Sequence, residues 1–178
     1  MKIIHTTIKD AFIIQPEKYK DNRGYSLETF KKKEFSDILK LDAEFSQEYL
    51  SISKHGVLRG MHFQKNNPQG KLLYVSEGEI FDVIVDIRSS SETYGLWFSI
   101  NLNDNDHSQL WVPPGLAHGF YVLSELAKVH YKLTKYYDPE DEYTLAWDDP
   151  TINIKWPDNN PIISGRDEAG LTFKEIKG

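Results

Sequence analysis

Short runs of alternating apolar and polar residues dominate the chain and predict an all-β fold. The clearest run spans residues 79–88, EIFDVIVDIR, in which successive side chains would point to opposite faces of a strand. Similar runs predict strands at residues 72–75, 96–102, 110–112, 119–123 and 129–135. Turn-forming residues separate them, which is typical of a sandwich or barrel rather than a βαβ fold.

One segment has helical periodicity instead. In KKKEFSDILK, residues 31–40, Phe35, Ile38 and Leu39 fall on one helical face, which predicts a short helix there. The tail at residues 148–178 holds three prolines and is expected to be irregular, to wrap over the strands and to be anchored by Trp147 and Trp156. We expect residues 1–178 to form a single domain.

Composition excludes several classes of protein. The chain has no cysteine, so disulfides, thiolate metal sites and a cysteine nucleophile are ruled out. Its net charge of −6 disfavours nucleic-acid binding, and no apolar stretch reaches the roughly 18 residues of a membrane span. No glycine-rich phosphate loop opens a helix. We therefore expect a cytoplasmic protein with neither nucleic acid nor membrane as a partner.

Candidate chemistry begins in VLRGMHFQ, residues 57–64. As a regular strand this segment puts Arg59 and Met61 on one face, and Gly60, His62 and Gln64 on the other. A histidine in a barrel mouth can act as a base near neutral pH, and arginine suits phosphate. A glycine there can leave space for a ligand. An ordinary hydrogen-bonded histidine is the simpler alternative.

A second cluster, PPGLAHGF at residues 113–120, resembles the Pro-x-Gly-x-x-His motif of the cupin superfamily. About fifty residues after His62, it favours a double-stranded β-helix, the jelly-roll barrel. Many cupins bind metal through two histidines one residue apart, but here the second position is Gln64, a poor ligand for a transition metal. We therefore expect neither a metal nor another cofactor.

Two further side chains are candidates. In VHYKLT, residues 129–134, Tyr131 faces opposite to His130 and Lys132. A tyrosine that lies opposite a histidine base can donate a proton from the other side of a substrate. Lys71 inside a barrel would stabilise an oxyanion. A packed aromatic ring and a solvated surface charge are the corresponding simpler readings.

Together these motifs resemble the dTDP-4-dehydrorhamnose 3,5-epimerase family. The resemblance runs from about Phe12 to the Asp167 region and is carried by DNRG, VLRGMHFQ, QGKL, FDV, QLWVPPGLAHGF, YK, WDDP and IKWP. It implies a cofactor-free epimerisation of a nucleotide-linked 4-keto-6-deoxy sugar. His62 would be the base, Tyr131 the acid on the opposite face, Lys71 the partner of the enolate oxygen, and Asp167 the carboxylate paired with the base.

The same resemblance implies a nucleotide-sugar substrate and a homodimer in which part of each site can come from the partner subunit. The implied substrate-binding residues are Arg23, Glu28, Gln47, Tyr49, Arg59, His118, Glu142 and Arg166. Two of them depart from the family pattern: Tyr49 stands where asparagine is usual, in Gln47-Glu48-Tyr49, and Arg166 where lysine is commoner.

Other functions stay open on this evidence. The same base and acid suit an epimerase of C3 alone, or of C3 and C5 on another nucleotide sugar, such as a GDP-linked heptose. A 3,4-ketoisomerase also uses a metal-free cupin barrel and a histidine base. From a different class, a non-catalytic carbohydrate-binding barrel needs neither base, acid nor lysine.

Overall fold

The structure, a computed structural model, describes residues 1–39 and 44–176. Within this part of the chain, strands predominate and the helices are short. The elements are β1 (Lys2–His5), β2 (Phe12–Gln15), β3 (Lys18–Asp21), β4 (Gly24–Leu27), α1 (Lys32–Leu39), β5 (Gln47–Lys54), β6 (Leu58–Gln64), β7 (Lys71–Glu77), β8 (Glu79–Asp86), β9 (Trp97–Asn103), β10 (Gln109–Val112), β11 (Leu116–Val122), β12 (Leu126–Leu133), β13 (Glu142–Thr144), α2 (Gly165–Glu168) and α3 (Phe173–Ile176).

The strands form two large antiparallel sheets. One has six strands in the order β1-β2-β10-β7-β12-β5, and the other has five in the order β13-β6-β11-β8-β9. A separate hairpin, β3-β4, belongs to neither sheet. The expected all-β, cupin-type fold is confirmed, with the barrel flattened into two facing sheets.

Strand β8 explains how the alternating pattern builds two cores. Ile80 and Ile84 lie in the main core between the two sheets, with residues of both. Val83 and Val85 point the other way into a second core, which includes Ile152 and other residues of the C-terminal tail. Both faces of β8 are therefore buried, and the tail covers the outer face of the five-stranded sheet as expected.

The tail is more ordered than the sequence suggested. It contains α2 and α3, and Asp149 is buried and accepts hydrogen bonds from the backbone of Thr151, Ile152 and Phe173. Trp156 donates through Nε1 to the carbonyl of Trp147 at 2.7 Å. The two tryptophans are thus joined, as an anchor requires.

The predicted strands are all found, with ends shifted by a few residues, because hydrogen bonding across a sheet rather than local pattern sets where a strand ends. The helix predicted at 31–40 is α1, and Phe35 packs in an aromatic cluster with Trp111. Lys40 and the side chains of Ile38 and Leu39 lie outside the described part of the chain. Among the helices described, none is long and apolar enough to cross a membrane.

Candidate active site

A cavity of about 680 Å³ opens between the two sheets and collects most of the predicted site residues. Strands β5, β7 and β12 of one sheet supply one wall, while β6 and β11 supply the facing wall. The predicted residues that line it are His62, Tyr131, Lys71, Asp167, Gln47, Tyr49, Arg59, His118, Glu142 and Arg166.

The local structure of β6 differs from the regular strand that the sequence suggested. Against β11, Arg59 pairs with Phe120 and His62 pairs with His118, so three steps on β6 match two on β11. This bulge puts Arg59 and His62 on the same side, both lining the cavity, and turns Met61 into the second core. The predicted alternation across 59–64 was therefore wrong.

Gly60 does not make room for a ligand, contrary to the sequence hypothesis. Its φ is +123°, and a Cβ there would lie 2.5 Å from the Cα of Gly119. The glycine is needed because the backbones of β6 and β11 approach closely at the bulge.

His62 is held by a buried carboxylate. Its Nε2 lies 2.6 Å from Oδ1 of Asp167, whose side chain is only 4% exposed. Asp167 lies in the first turn of α2, where its backbone N–H donates to the N-cap Ser164. Because an ionised carboxylate can only accept, Nε2 carries the proton of this bond and Nδ1 is left able to accept a proton. Glu142 Oε1 is 4.0 Å from that Nδ1.

Lys71 lies beside the base. Its Nζ donates to the backbone carbonyl of His62 at 3.3 Å. Burial lowers the pKa of Lys71 to about 8, and the nearby Asp82 opposes that shift. An ammonium with few partners in a partly desolvated cavity is well suited to a developing oxyanion.

His118 is also paired with a carboxylate, but deep in the fold. Its Nε2 lies 2.9 Å and 3.1 Å from the two oxygens of Asp82, and neither residue is open to solvent. Burial lowers the pKa of His118, with Asp82 opposing the shift, and burial raises the pKa of Asp82, with His118 opposing it. His118 is thus favoured as a neutral ring that donates to Asp82.

Tyr131 faces the histidines from the six-stranded sheet. It is 8% exposed, and its ring lies 6.0 Å from that of His118. Burial raises the pKa of Tyr131 well above its ordinary value, so the phenol stays protonated at neutral pH. Tyr49, directly opposite on β5, packs at 5.8 Å from the same ring. The neutral phenol is therefore available as a proton donor from the wall opposite His62.

The mouth of the cavity carries an ion pair. Arg166 contacts Glu142, and the hydroxyl of Tyr137 donates to Glu142 at 2.8 Å and accepts from Arg166 at 3.2 Å. Further along, Arg59 donates through Nε to Ser53 at 2.8 Å and keeps its terminal nitrogens for other partners. Two guanidinium groups therefore border one cavity, which suits an anionic ligand.

Two predicted residues do not join this group in the described part of the chain. Arg23 lies at the tip of the β3–β4 hairpin, highly exposed, and pairs with Asp21 at 2.6 Å. Glu28 pairs with Lys31 at 3.0 Å. The hairpin contacts the loop between β9 and β10 through Tyr25, whose hydroxyl lies 2.6 Å from Nε2 of His107. Within one subunit, both residues are separate from the cavity.

Sequence reasoning missed three roles. Asp82 was read as one alternating position of a strand, yet it holds His118. Tyr137 and Gln69 line the cavity, but neither was a candidate. The aspartate had a detectable signal, since it is a charge between Ile80 and Ile84 on the face that forms the core. Among the described residues, no group of three or more potential metal-binding side chains was found.

Comparison with known proteins identifies the family. The family model for dTDP-4-dehydrorhamnose 3,5-epimerase matches residues 5–175. Relatives of that description come from Methanothermobacter thermautotrophicus, 47% identical with 98% of this chain and 95% of the relative covered, and Neisseria gonorrhoeae, 46% identical with 99% of this chain covered. This chain spans 54% of the Neisseria relative.

A solved structure is also similar. It is the dTDP-6-deoxy-D-glucose-3,5-epimerase of Legionella pneumophila, in complex with dTDP-4-keto-L-rhamnose, with a TM-score of 0.94 and 42% identity over 98% of this chain and 96% of that one. The fold and the cavity are those of a carbohydrate epimerase of cupin type. The chain belongs to the dTDP-4-dehydrorhamnose 3,5-epimerase family.

Proposed function

We propose that the protein epimerises dTDP-4-dehydro-6-deoxyglucose at C3 and C5, to give dTDP-4-dehydrorhamnose. The observation that supports this most is the placement of His62 and Tyr131 on facing walls of one cavity, with Lys71 beside the histidine. Inversion needs a base and an acid on opposite faces of the sugar. A binding module would need neither.

The reaction begins with proton removal. The C4 ketone acidifies the hydrogens at C3 and C5, and Nδ1 of His62 takes one of them. Asp167 accepts from Nε2 and stabilises the imidazolium that forms. The electron pair moves to the C4 oxygen as an enolate, next to the ammonium of Lys71.

Inversion follows when a proton arrives from the other face. The neutral phenol of Tyr131 donates it to the carbon, the enolate returns to the ketone, and the tyrosinate is left in a buried site. Burial disfavours that anion, so it regains a proton from solvent while His62 loses one. The enzyme is then reset for the second carbon.

We propose that a metal takes no part in this chemistry. Two of the residues that stand at metal-ligand positions of other cupins, His118 and Gln64, are engaged elsewhere. Nε2 of His118 is bound to Asp82, and the amide of Gln64 binds the backbone of Asn67 and Asp138. The absence of cysteine is consistent with a reducing compartment, and we keep the cytoplasm as the proposed location.

The first test is proton NMR of dTDP-4-keto-6-deoxyglucose with the protein in deuterium oxide. We expect deuterium at both C3 and C5. Deuterium at C3 alone would identify a C3 epimerase and direct attention to Tyr49. No exchange with dTDP-, GDP- or CDP-linked 4-keto sugars would contradict the proposal and favour a binding role.

The acid is tested by Tyr131→Phe in the same experiment. We expect proton exchange to continue while inverted product falls by roughly 10²-fold, because the donor on the opposite face is gone. Full product formation by this variant would remove Tyr131 from its role.

We further propose that two copies form a homodimer in which the β3–β4 hairpin carries Arg23 and Glu28 to the partner's cavity. The hairpin stands apart from both sheets, and Leu50 and Ile52 leave apolar surface on the edge strand β5. An arrangement of this kind would complete the set of substrate-binding residues that the family resemblance implies.

Subunit mixing tests the shared site. Arg23→Ala and His62→Ala, each inactive alone, should regain about a quarter of wild-type activity after mixing and refolding, since half of the dimers would hold one intact site. No recovery, despite mixed dimers, would place Arg23 in its own subunit's site or in none.

A further inference from the structure

Three glutamine side chains from separate parts of the fold bind the backbone of one loop, residues 135–138, which borders the cavity. Gln47 Oε1 accepts from the backbone N–H of Tyr137 at 2.8 Å, and Gln64 Oε1 accepts from that of Asp138 at 3.0 Å. Gln69 Nε2 donates to the backbone carbonyl of Lys135 at 2.9 Å. We call these three residues the glutamine clamp.

Two members of the clamp are buried, Gln64 at 5% and Gln69 at 8% exposure. Gln64 is bonded at both ends of its amide, since its Nε2 also donates to the carbonyl of Asn67 at 3.0 Å. A buried amide satisfied at both ends selects one arrangement of its partners, because any shift would leave a polar group unpaired. The clamp therefore fixes the course of the loop.

The loop contains two consecutive tyrosines with different surroundings. Tyr136 is 72% exposed, whereas Tyr137 lines the cavity and bonds Glu142 and Arg166. The clamp bonds fall on the backbone N–H groups of Tyr137 and Asp138. A one-residue slip of the loop would break both and exchange the two tyrosines.

We infer that the glutamine clamp positions Tyr137, and through it the Glu142–Arg166 pair, so that this end of the cavity is preformed for the nucleotide part of the substrate. The inference rests on the proposed function. Gln64 is the informative member, because it does not line the cavity and is not placed to contact a ligand there. It is a positioning residue, and its effect must pass through the loop.

Gln64→Met tests the clamp, since methionine keeps the volume and loses both hydrogen bonds. We expect KM for the dTDP-sugar and Kd for dTDP alone, by calorimetry, to rise about tenfold, the effect of losing a preformed contact. We expect kcat to fall by about threefold at most, because the Asp167–His62 bond, Lys71 and Tyr131 keep their places, although Glu142, 4.0 Å from Nδ1 of His62, can shift. Gln64→Glu keeps the acceptor for Asp138 but sets a carboxylate oxygen against the carbonyl of Asn67, so it should recover only part of the affinity.

Gln15→Met is the matched control. Gln15 is a partly buried glutamine on β2, paired with Lys2 at the far edge of the six-stranded sheet. We expect its KM, kcat and dTDP affinity to equal those of the wild type. A tenfold change there would show that loss of any glutamine disturbs binding.

The double variant with Tyr137→Ala separates positioning from general destabilisation. If Gln64 acts through Tyr137, Tyr137→Ala and Gln64→Met/Tyr137→Ala should have the same dTDP affinity within about twofold. Additive losses would overturn the inference. Should Gln64→Met fail to fold, Gln64→Asn, which keeps an amide on a side chain one methylene shorter, takes its place in the same cycle.

Affinity for dTDP also separates this inference from the proposed function. Tight binding by the wild type without proton exchange would refute the epimerase and leave the clamp measurable. A wild type that does not bind dTDP would overturn the clamp as a nucleotide-positioning device.

Discussion

The structure holds two histidine–aspartate pairs side by side, and they differ in access. His62 and His118 are paired residues on β6 and β11, and each bonds a carboxylate through Nε2 at 2.6 Å and 2.9 Å. The side chain of His62 is 27% exposed, while that of His118 is 4% exposed and its Asp82 is fully buried. Similar bonds therefore support different tasks: the first pair can exchange a proton with a ligand, whereas the second sets the geometry and charge around it.

The largest expected effect comes from His62→Asn. Proton exchange at C3 and C5 should fall by at least ~10²-fold, because asparagine cannot act as the base. The free energy of unfolding should fall by less than in His118→Asn, because buried Asp167 loses its donor but the side chain of His62 is itself 27% exposed. Exchange that persists in this variant would assign the base to another group.

Lys71→Met should reduce enolate formation by roughly 10²-fold. In the wild type, activity should fall as pH rises through about 8, because Lys71 loses its proton there and the enolate loses its partner. A pH profile of the exchange rate measures this. A flat profile between pH 7 and 9.5 would contradict the role of Lys71.

The same variant should be more stable than the wild type. The pKa of Lys71 falls from 10.5 in the unfolded chain to about 8 in the fold. Burying the charged form therefore lowers the free energy of unfolding by its full amount below pH 8, and this cost declines to zero between pH 8 and 10.5. Removing that charge should add about 1–3 kcal/mol to the free energy of unfolding at pH 7. The gain should vanish as pH passes 10.5, which urea titrations at several pH values can check.

His118→Asn sharpens the comparison from the buried side. It should lower the free energy of unfolding by about 2–4 kcal/mol, because Asp82 loses its donor in a fully buried site. Denaturant unfolding at pH 7 measures the loss. Stability equal to that of His62→Asn would mean that burial does not distinguish the two pairs.

Asp82→Asn should have the smallest effect, and it tests whether the buried His118–Asp82 pair influences Lys71. Asp82 holds the pKa of Lys71 up, so its neutral isostere should move the alkaline fall in activity to lower pH. The rate at pH 6.5 should change little. An alkaline limb that keeps its position would separate Asp82 from Lys71.

The local alternation of apolar and polar residues predicted much of the fold correctly. Alternation in residues 79–88 predicts β8, because successive side chains of a strand point to opposite faces. In the structure, both faces of this strand are buried. The same rule failed at Arg59 and His62, because a bulge adds one residue to β6. A bulge depends on the partner strand, so a single strand's pattern cannot reveal it.

Much of the candidate site could also be predicted from residue types and their local pattern. The strand patterns around His62, Lys71 and Tyr131 indicated the candidate proton-transfer residues. The family resemblance added Asp167 and the expected substrate-binding residues. Asp82 and Tyr137 were missed because each is important through a partner that is distant along the chain. Asp82 bonds His118, 36 residues away, and Tyr137 accepts from Arg166, 29 residues away.

The sequence by itself determined the class of fold, the absence of thiol chemistry and the types of side chain available for the proposed reaction, because these follow from residue type and local periodicity. Only the tertiary structure decided which nitrogen of His62 is free, which histidine is buried, and which of two adjacent tyrosines faces the cavity. Each of these depends on a partner brought near by sheet packing, and burial then sets which groups keep their charge.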